Sequence, residues 1–250
     1  MTTTDTMTGT TADAGGPEAR PGPAVAGFPG GDDHLEALDD AVGEILGRSP
    51  ADADTPTGRR ALWDALEGAG FTLLSLPEEH GGSGGNLADA VTVLRRCAYA
   101  GVRLPLLETL LAGWCCASAG VTIPAGPLAF ATAGRDATAV RMPWAPFADH
   151  LVVLSGGGTP ALTVTDRRET VVRETDDGSL TGEPVGEVRP TNPPAPAEAA
   201  SSAPPTADQA RLRGALLRSA ELHGAVAAAL DQAVRHSGER EQFGRALHRF

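Results

Sequence analysis

Near Ile123 the hydrophobic period of this chain changes, and that change limits what it can fold into. Before it, apolar residues recur at helical spacing. Leu35, Leu38, Val42 and Ile45 follow a candidate N-cap at Asp33 and end at Gly47. Leu62, Trp63 and Leu66 line a second segment from about 57 to 69, closed by Gly70. The stretch FTLLSLPEEHGGSGGN (71–86), with Pro77 and its glycines, breaks the helical pattern. Asn86 then caps a third segment carrying Leu87, Ala90, Val91, Leu94, Cys97 and Ala98. Segment 106–119 is apolar on every side except at Glu108 and Thr109, which predicts a buried helix.

After Ile123 the apolar runs shorten. Segments 128–133, 139–142, 150–154, 161–165 and 170–172 are rich in β-branched or apolar residues and are separated by Gly, Pro and Asp. SGGGTP (155–160) and TDDG (175–178) read as hairpin turns, so this part reads as a small antiparallel β unit. RPTNPPAPAEAASSAPPT (189–206) holds six prolines, which exclude a regular helix or a central strand. From about 207 to 236, Leu212, Leu216, Leu222, Val226, Leu230 and Val234 fall on or near one helical face. Gly224 and the alanines at 227–229 would let another helix come close. No internal repeat is visible. The order is helices, strands, then a helix, which predicts an α+β fold: an N-terminal helical bundle, a small antiparallel β middle domain and the start of a C-terminal helical bundle. The expected divisions are a disordered tail (1–33), a helical domain (34–122), a β domain (123–188), a Pro/Ala-rich linker or loop (189–206) and a first helix and turn (207–250).

Composition narrows the function. The chain has 250 residues with 41% hydrophobic residues, enough to bury a core. Its net charge of −12 argues against nucleic-acid binding and gives no attraction to an anionic membrane. Local arginines can still build an anion site in an acidic chain. The three cysteines, Cys97, Cys115 and Cys116, form neither a disulfide framework nor a zinc pattern. Cys115 and Cys116 read as small buried residues of an apolar helix rather than a redox pair. His80, His150 and His223 show no ligand spacing, so no metal is expected. The N-terminal stretch lacks a basic start and an apolar run, so it is not a secretory signal. Nothing approaches a membrane-spanning length. A cytoplasmic protein is the expectation.

Three stretches, in order, resemble the acyl-CoA dehydrogenase family. LPEEHGGSGGN (76–86) looks like that family's PEE-x-GG-x-G loop, VRMPWAPFADHLVVL (140–154) like its V-P-x-A-x-x-A-D strand pair, and GEREQFGRAL (238–247) like its R-x-Q-F-G segment. The resemblance covers roughly 34–250 and implies FAD, an acyl-CoA or acyl-carrier thioester, and α,β-dehydrogenation. It also implies a homo-oligomer, or a heteromer with a second dehydrogenase subunit. Taken alone, Arg240, Gln242, Phe243 and Gly244 read as a charged helix end, a packing ring and a turn. The resemblance makes Arg240, Gln242 and Phe243 flavin contacts, reached across a subunit interface, and adds Thr132 of the middle domain. The glycines at 81–85 lack the Lys-Ser/Thr of a phosphate-binding loop and read as a structural turn.

The sequence also departs from the family pattern. FATAGRDATAV (130–140) keeps Thr132 and a remnant at 134–136 where the family has T-E-P-x-x-G-S-D, and no W-I-[ST] segment follows. The family's usual catalytic Glu would lie downstream of Phe250. The alternative position, early in the long helix, is Gly214, which has no side chain. Glu221, two turns on, reads as a solvated helix residue. The pattern stops at Phe250 inside an apolar run, so the expectation is a piece of a longer dehydrogenase. The alternatives are a short subunit sharing a flavin site with a complete partner and a redox-inactive thioester-binding module.

Overall fold

The computed structural model describes residues 31–48, 54–134, 137–156, 160–175, 182–189, 202–242 and 245–246. Residues 1–30 of the expected tail, most of the Pro-rich stretch, half of the SGGGTP turn, most of the TDDG turn, Phe243, Gly244 and part of the 134–136 remnant lie outside the described residues.

Four helices come first: α1 (Gly31–Gly47), α2 (Pro56–Gly68), α3 (Leu87–Tyr99) and α4 (Leu106–Ser118). Helix α1 starts two residues before the expected cap at Asp33, which instead lies in the first turn with Asp32, where carboxylates suit the helix dipole. Thr55 caps α2, its side chain accepting from the Gly58 N–H, with Pro56 in the first turn. Asn86 caps α3 in a capping box, its side chain accepting from the Ala88 and Asp89 N–H groups while the Asp89 carboxylate accepts from the Asn86 N–H. The Gly70 stop also holds, with left-handed backbone at φ 79°, while Gly47 is the last residue of α1; Gly101 after α3 adopts φ 74°.

Six strands follow: β1 (Leu128–Gly134), β2 (Val140–Pro143), β3 (His150–Gly156), β4 (Ala161–Asp166), β5 (Val171–Thr175) and β6 (Val185–Arg189). They form two three-stranded sheets, β1-β3-β4 and β2-β6-β5. β6 was not expected, because VGEVR is short and interrupted by glycine and glutamate. One pairing departs from the antiparallel expectation: β1 runs parallel to β3, in register from Leu128↔His150 to Gly134↔Gly156. The chain between them crosses to the other sheet to form β2, so β3 re-enters in the same direction as β1.

Helix α5 (Ala207–Glu239) is long, and a two-stranded hairpin of β7 (Glu241–Gln242) and β8 (Arg245–Ala246) follows it. Thr206 caps α5 in a second capping box with Gln209. The helix lies across α3 and α4. Its buried face is Ala210, Leu217, Ala220 and Gly224, not the leucine and valine stripe. Leu212, Leu216, Val226, Leu230 and Val234 are 46% to 74% exposed and share the outward face.

Helix α4 joins the two layers. Its Leu106, Leu107 and Leu110 belong to the helical core with Trp63, Leu66, Val93 and Leu94. Its Leu111, Ala112, Cys115 and Cys116 belong to a second core with Leu128, Phe130, Val152 and Leu154 of the sheet. The Leu128 N–H donates to the Thr109 hydroxyl at 3.0 Å, pinning the start of β1 to the middle of α4. The three cysteines are free and buried, and burial pushes each thiol up to about 12, so they are inert packing groups.

A Cβ placed on Gly224 would overlap the Arg95 carbonyl oxygen, so the α3–α5 approach requires glycine here. Gly224→Ala is expected to lower stability by about 1–3 kcal/mol despite the better helix propensity of alanine. Gly238→Ala, with nothing within 4 Å, is expected to gain about 0.5 kcal/mol. Urea midpoints of the two variants check the contrast.

Candidate functional site

A cleft of about 520 Å³ opens where α4, α5, β1 and β2 meet. Leu107 and Leu111 come from α4, Phe130, Ala131 and Thr132 from β1, and Arg141 and Pro143 from β2. Ala210, Arg211, Gly214, Ala215 and Arg218 come from α5. Thr109 fixes β1 against α4, so Phe130 is held next to the apolar side of the helix. Gly214 lets α5 pass close to Leu111, whose Cδ2 would lie 3.2 Å from an added Cβ.

At the Arg218 end of the cleft stands a partly buried ionic cluster. Arg218 Nη2 donates to Glu108 Oε1 at 3.0 Å, and Nη1 donates to Glu221 Oε2 at 2.6 Å and to Glu183 Oε1 at 3.4 Å. Glu108 projects from the apolar helix α4 and is 5% exposed. Burial pushes its carboxyl up to about 7; Arg218 opposes the shift, and Glu221 and Glu183 add to it. Burial likewise pushes Glu221 up to about 7, again against Arg218 and with Glu183. Burial also works against the charge of Arg218, but its three carboxylate partners outweigh that and hold its pKa above the usual value. Glu221 is therefore not the solvated residue expected from the sequence; it closes the cluster from one turn along α5.

The expected site residues do not converge within one chain. Thr132 lies in the cleft, exposed at its mouth. Arg240 caps the far end of α5 and Gln242 lies in β7, both exposed. They stand roughly 40 Å along the helix from Gly214. Phe243 lies outside the described residues. Glu108, Arg141, Arg211 and Arg218 were missed. The available signal was Glu108 itself, a carboxylate in an otherwise apolar helix, which calls for a buried partner.

Two smaller features complete the survey. His34 Nε2 lies 3.0 Å from Asp89 Oδ1 beside the glycine turn at 81–85. Arg60 grips Asp149 with two hydrogen bonds of 3.0 and 2.7 Å and lies over the Phe147 ring. Among the described residues no group of three or more His, Cys, Asp or Glu is placed to hold a metal ion, and no helix is long and apolar enough to cross a membrane.

The chain is thus an α+β protein whose helical layer meets two small sheets at a ligand-sized cleft. Residues 35–121 match the family model for the N-terminal domain of acyl-CoA dehydrogenases. Acyl-CoA dehydrogenase IpdE2 from Mycolicibacterium smegmatis is 34% identical over 191 residues, covering 76% of this chain and 57% of that protein. Butyryl-CoA dehydrogenase from Megasphaera elsdenii superposes with a TM-score of 0.70 at 17% identity, over 90% of this chain and 74% of that one. The ChsE4–ChsE5 complex from Mycobacterium tuberculosis gives a TM-score of 0.66 at 20% identity, over 86% and 70%. The family model, the curated relative and the superposed structures all indicate the acyl-CoA dehydrogenase family. The chain spans just over half the length of the curated relative it matches.

The cluster sets a pH dependence. A carboxyl whose pKa is raised on folding contributes stability that is present at low pH and is lost as pH rises through its folded value. Glu108 and Glu221 therefore make the fold lose stability as pH climbs from 4.5 to about 7. Replacing Glu108 with Gln removes one such group. The stability of Glu108→Gln relative to wild type is expected to rise with pH across this window, by up to about 1.4 kcal/mol per pH unit. Urea unfolding at several pH values reads this difference directly.

Proposed function

We propose that the chain is an acyl-CoA dehydrogenase-like flavoprotein or flavoprotein subunit. Its cleft binds the acyl part of a CoA or carrier-protein thioester, and the protein works as a cytoplasmic oligomer. The carrying observation is the cleft itself, apolar along Leu107, Leu111, Phe130 and Ala131 and polar at Thr132 and Arg141. A bound FAD would supply the hydride acceptor for the acyl β-carbon, and a base would be needed for the α-proton.

The residues present fit a flavin in two separate places. Thr132 offers a hydroxyl at the mouth of the cleft. Arg240 and Gln242 are exposed donors at the far end of α5, suited to phosphate oxygens. One chain cannot bring both to the same flavin, so Arg240 and Gln242 serve a site completed by another chain.

A second reading, a non-catalytic partner in a heteromeric dehydrogenase, is favoured by a specific observation. Among the described residues the cleft lining contains no carboxylate, and Gly214 offers no side chain to act as base. The relative in the ChsE4–ChsE5 complex is itself part of a two-component assembly. The outward stripe from Leu212 to Val234 supplies a packing face for further helices of a C-terminal bundle, the role proposed for the segment from 207 onward. A redox-inactive thioester-binding module is the remaining alternative.

The test is the absorbance of the purified chain, alone and co-expressed with a complete dehydrogenase subunit, in wild type and Arg240→Ala. Flavin bands in the chain alone support a flavoprotein in its own right. Bands only in the mixed assembly support the partner reading, and their absence in both defeats the redox assignment. Arg240→Ala is expected to weaken flavin retention by about 1.5–3 kcal/mol, the worth of a charge-assisted hydrogen bond. Unchanged occupancy would remove Arg240 from the site.

A further inference from the structure

The cleft is lined by basic side chains although the chain is acidic. The protein's net charge is −12, and all 20 of its basic residues are arginine. Three of those arginines, Arg141, Arg211 and Arg218, line this one cleft, and among the described residues no carboxylate does. Carboxylates pair with two of them from outside the lining: Glu108, Glu183 and Glu221 with Arg218, and Asp208 with Arg211.

Resting on the acyl-thioester reading above, we propose that Arg218 is a specificity-determining residue and that it selects acyl thioesters whose acyl group ends in a carboxylate. Ala210 and Arg211 mark one end of the α5 wall and Arg218 the other, so the cleft follows the helix for about 12 Å. Between them the lining is Leu107, Leu111, Phe130, Ala131 and Ala215. An acyl chain lying along these side chains meets the Arg218 guanidinium at its far end. That guanidinium has five N–H donors. Its bonds to Glu108, Glu183 and Glu221 use part of this set, and the side chain is still 40% exposed. Among the described residues no other acceptor engages it.

The arrangement exceeds what a structural tie needs. One carboxylate on α4 would bridge the two helices. Three carboxylates from three segments fix the plane of the guanidinium before any ligand arrives, which lowers the ordering cost of binding. With both Nη1 donors and one Nη2 donor taken, the Nε–H and the remaining Nη2–H are the donors left for a ligand carboxylate.

The same cluster gives the site a signature. The groups facing Arg218 are Glu108 from α4, Glu221 from α5 and Glu183 from the segment before β6, with Arg141 of β2 and Arg211 of α5 across the cleft. Cys97 of α3 senses Glu221 but stays a neutral thiol. A ligand carboxylate brings a fourth negative charge to this guanidinium. Glu108 and Glu221 titrate at about 7, so near neutral pH they take up a proton as an anionic ligand binds. Acid-ended thioesters are then held more tightly at lower pH, and methyl-ended ones are indifferent to it.

The experiment is calorimetric titration of the full chain with glutaryl-CoA and adipoyl-CoA against hexanoyl-CoA and heptanoyl-CoA, in two buffers of different ionisation enthalpy. Wild type is expected to prefer the acid-ended pair by at least about tenfold, with proton uptake for that pair alone. The preference collapses in Arg218→Gln and partly returns in Arg218→Lys. The ratio within each variant is the readout, so a general loss of stability does not imitate the effect. If Arg218→Gln does not fold, proton uptake in wild type decides, and its absence overturns the proposal. Equal binding of both classes overturns the proposal and leaves the thioester reading intact. Binding of neither class overturns both.

Discussion

The contact between Glu108 and Arg218 governs how the helical layer meets the sheets. Glu108 projects from a helix otherwise made of Leu, Ala, Gly, Thr, Trp, Cys and Ser, and burying its carboxylate without a partner would be costly. Arg218 resolves this only if α5 lies alongside α4. That placement brings Gly214 against Leu111, closes one wall of the cleft and sets the direction of α5 past α3, where Gly224 meets Arg95. A buried ion pair of this kind contributes little net stability, yet breaking it is costly. Its value here lies in position, because it fixes the docking of α5 that shapes the cleft.

Much of the fold was legible because its signals are local. The Asn86 capping box, the glycine stops after α2 and the periods of α3 and α5 are short-range features, and each appears where the sequence places it. The long-range features were less accessible. The parallel pairing of β1 with β3 depends on where the intervening chain travels, and no period in the sequence records that. The leucine and valine stripe on α5 was visible, but its direction was not. The small residues Ala210, Ala220 and Gly224 permit the closer approach, so they take the inward face and leave the bulky ones outside.

The site was legible in part. Thr132 falls in the cleft, whereas Arg240 and Gln242 lie at the opposite end of α5, a separation set by helix length alone. Glu221 was misread because helical spacing does not show that Arg218 and Glu108 converge on it from two elements. Thr132 at one end of α5, the Arg240 motif at the other and an apolar stripe between them are the features on which the proposed sharing of a site between chains rests.

Hydrogen exchange of the full chain with and without heptanoyl-CoA and adipoyl-CoA tests the central claim, that the ligand site is the cleft between α4, α5, β1 and β2. The account predicts slowed exchange in the peptides spanning 106–118, 128–134, 140–143 and the first three turns of α5, with no change around the glycine turn at 81–85. Protection confined to other surfaces, or no protection by either thioester, would contradict it.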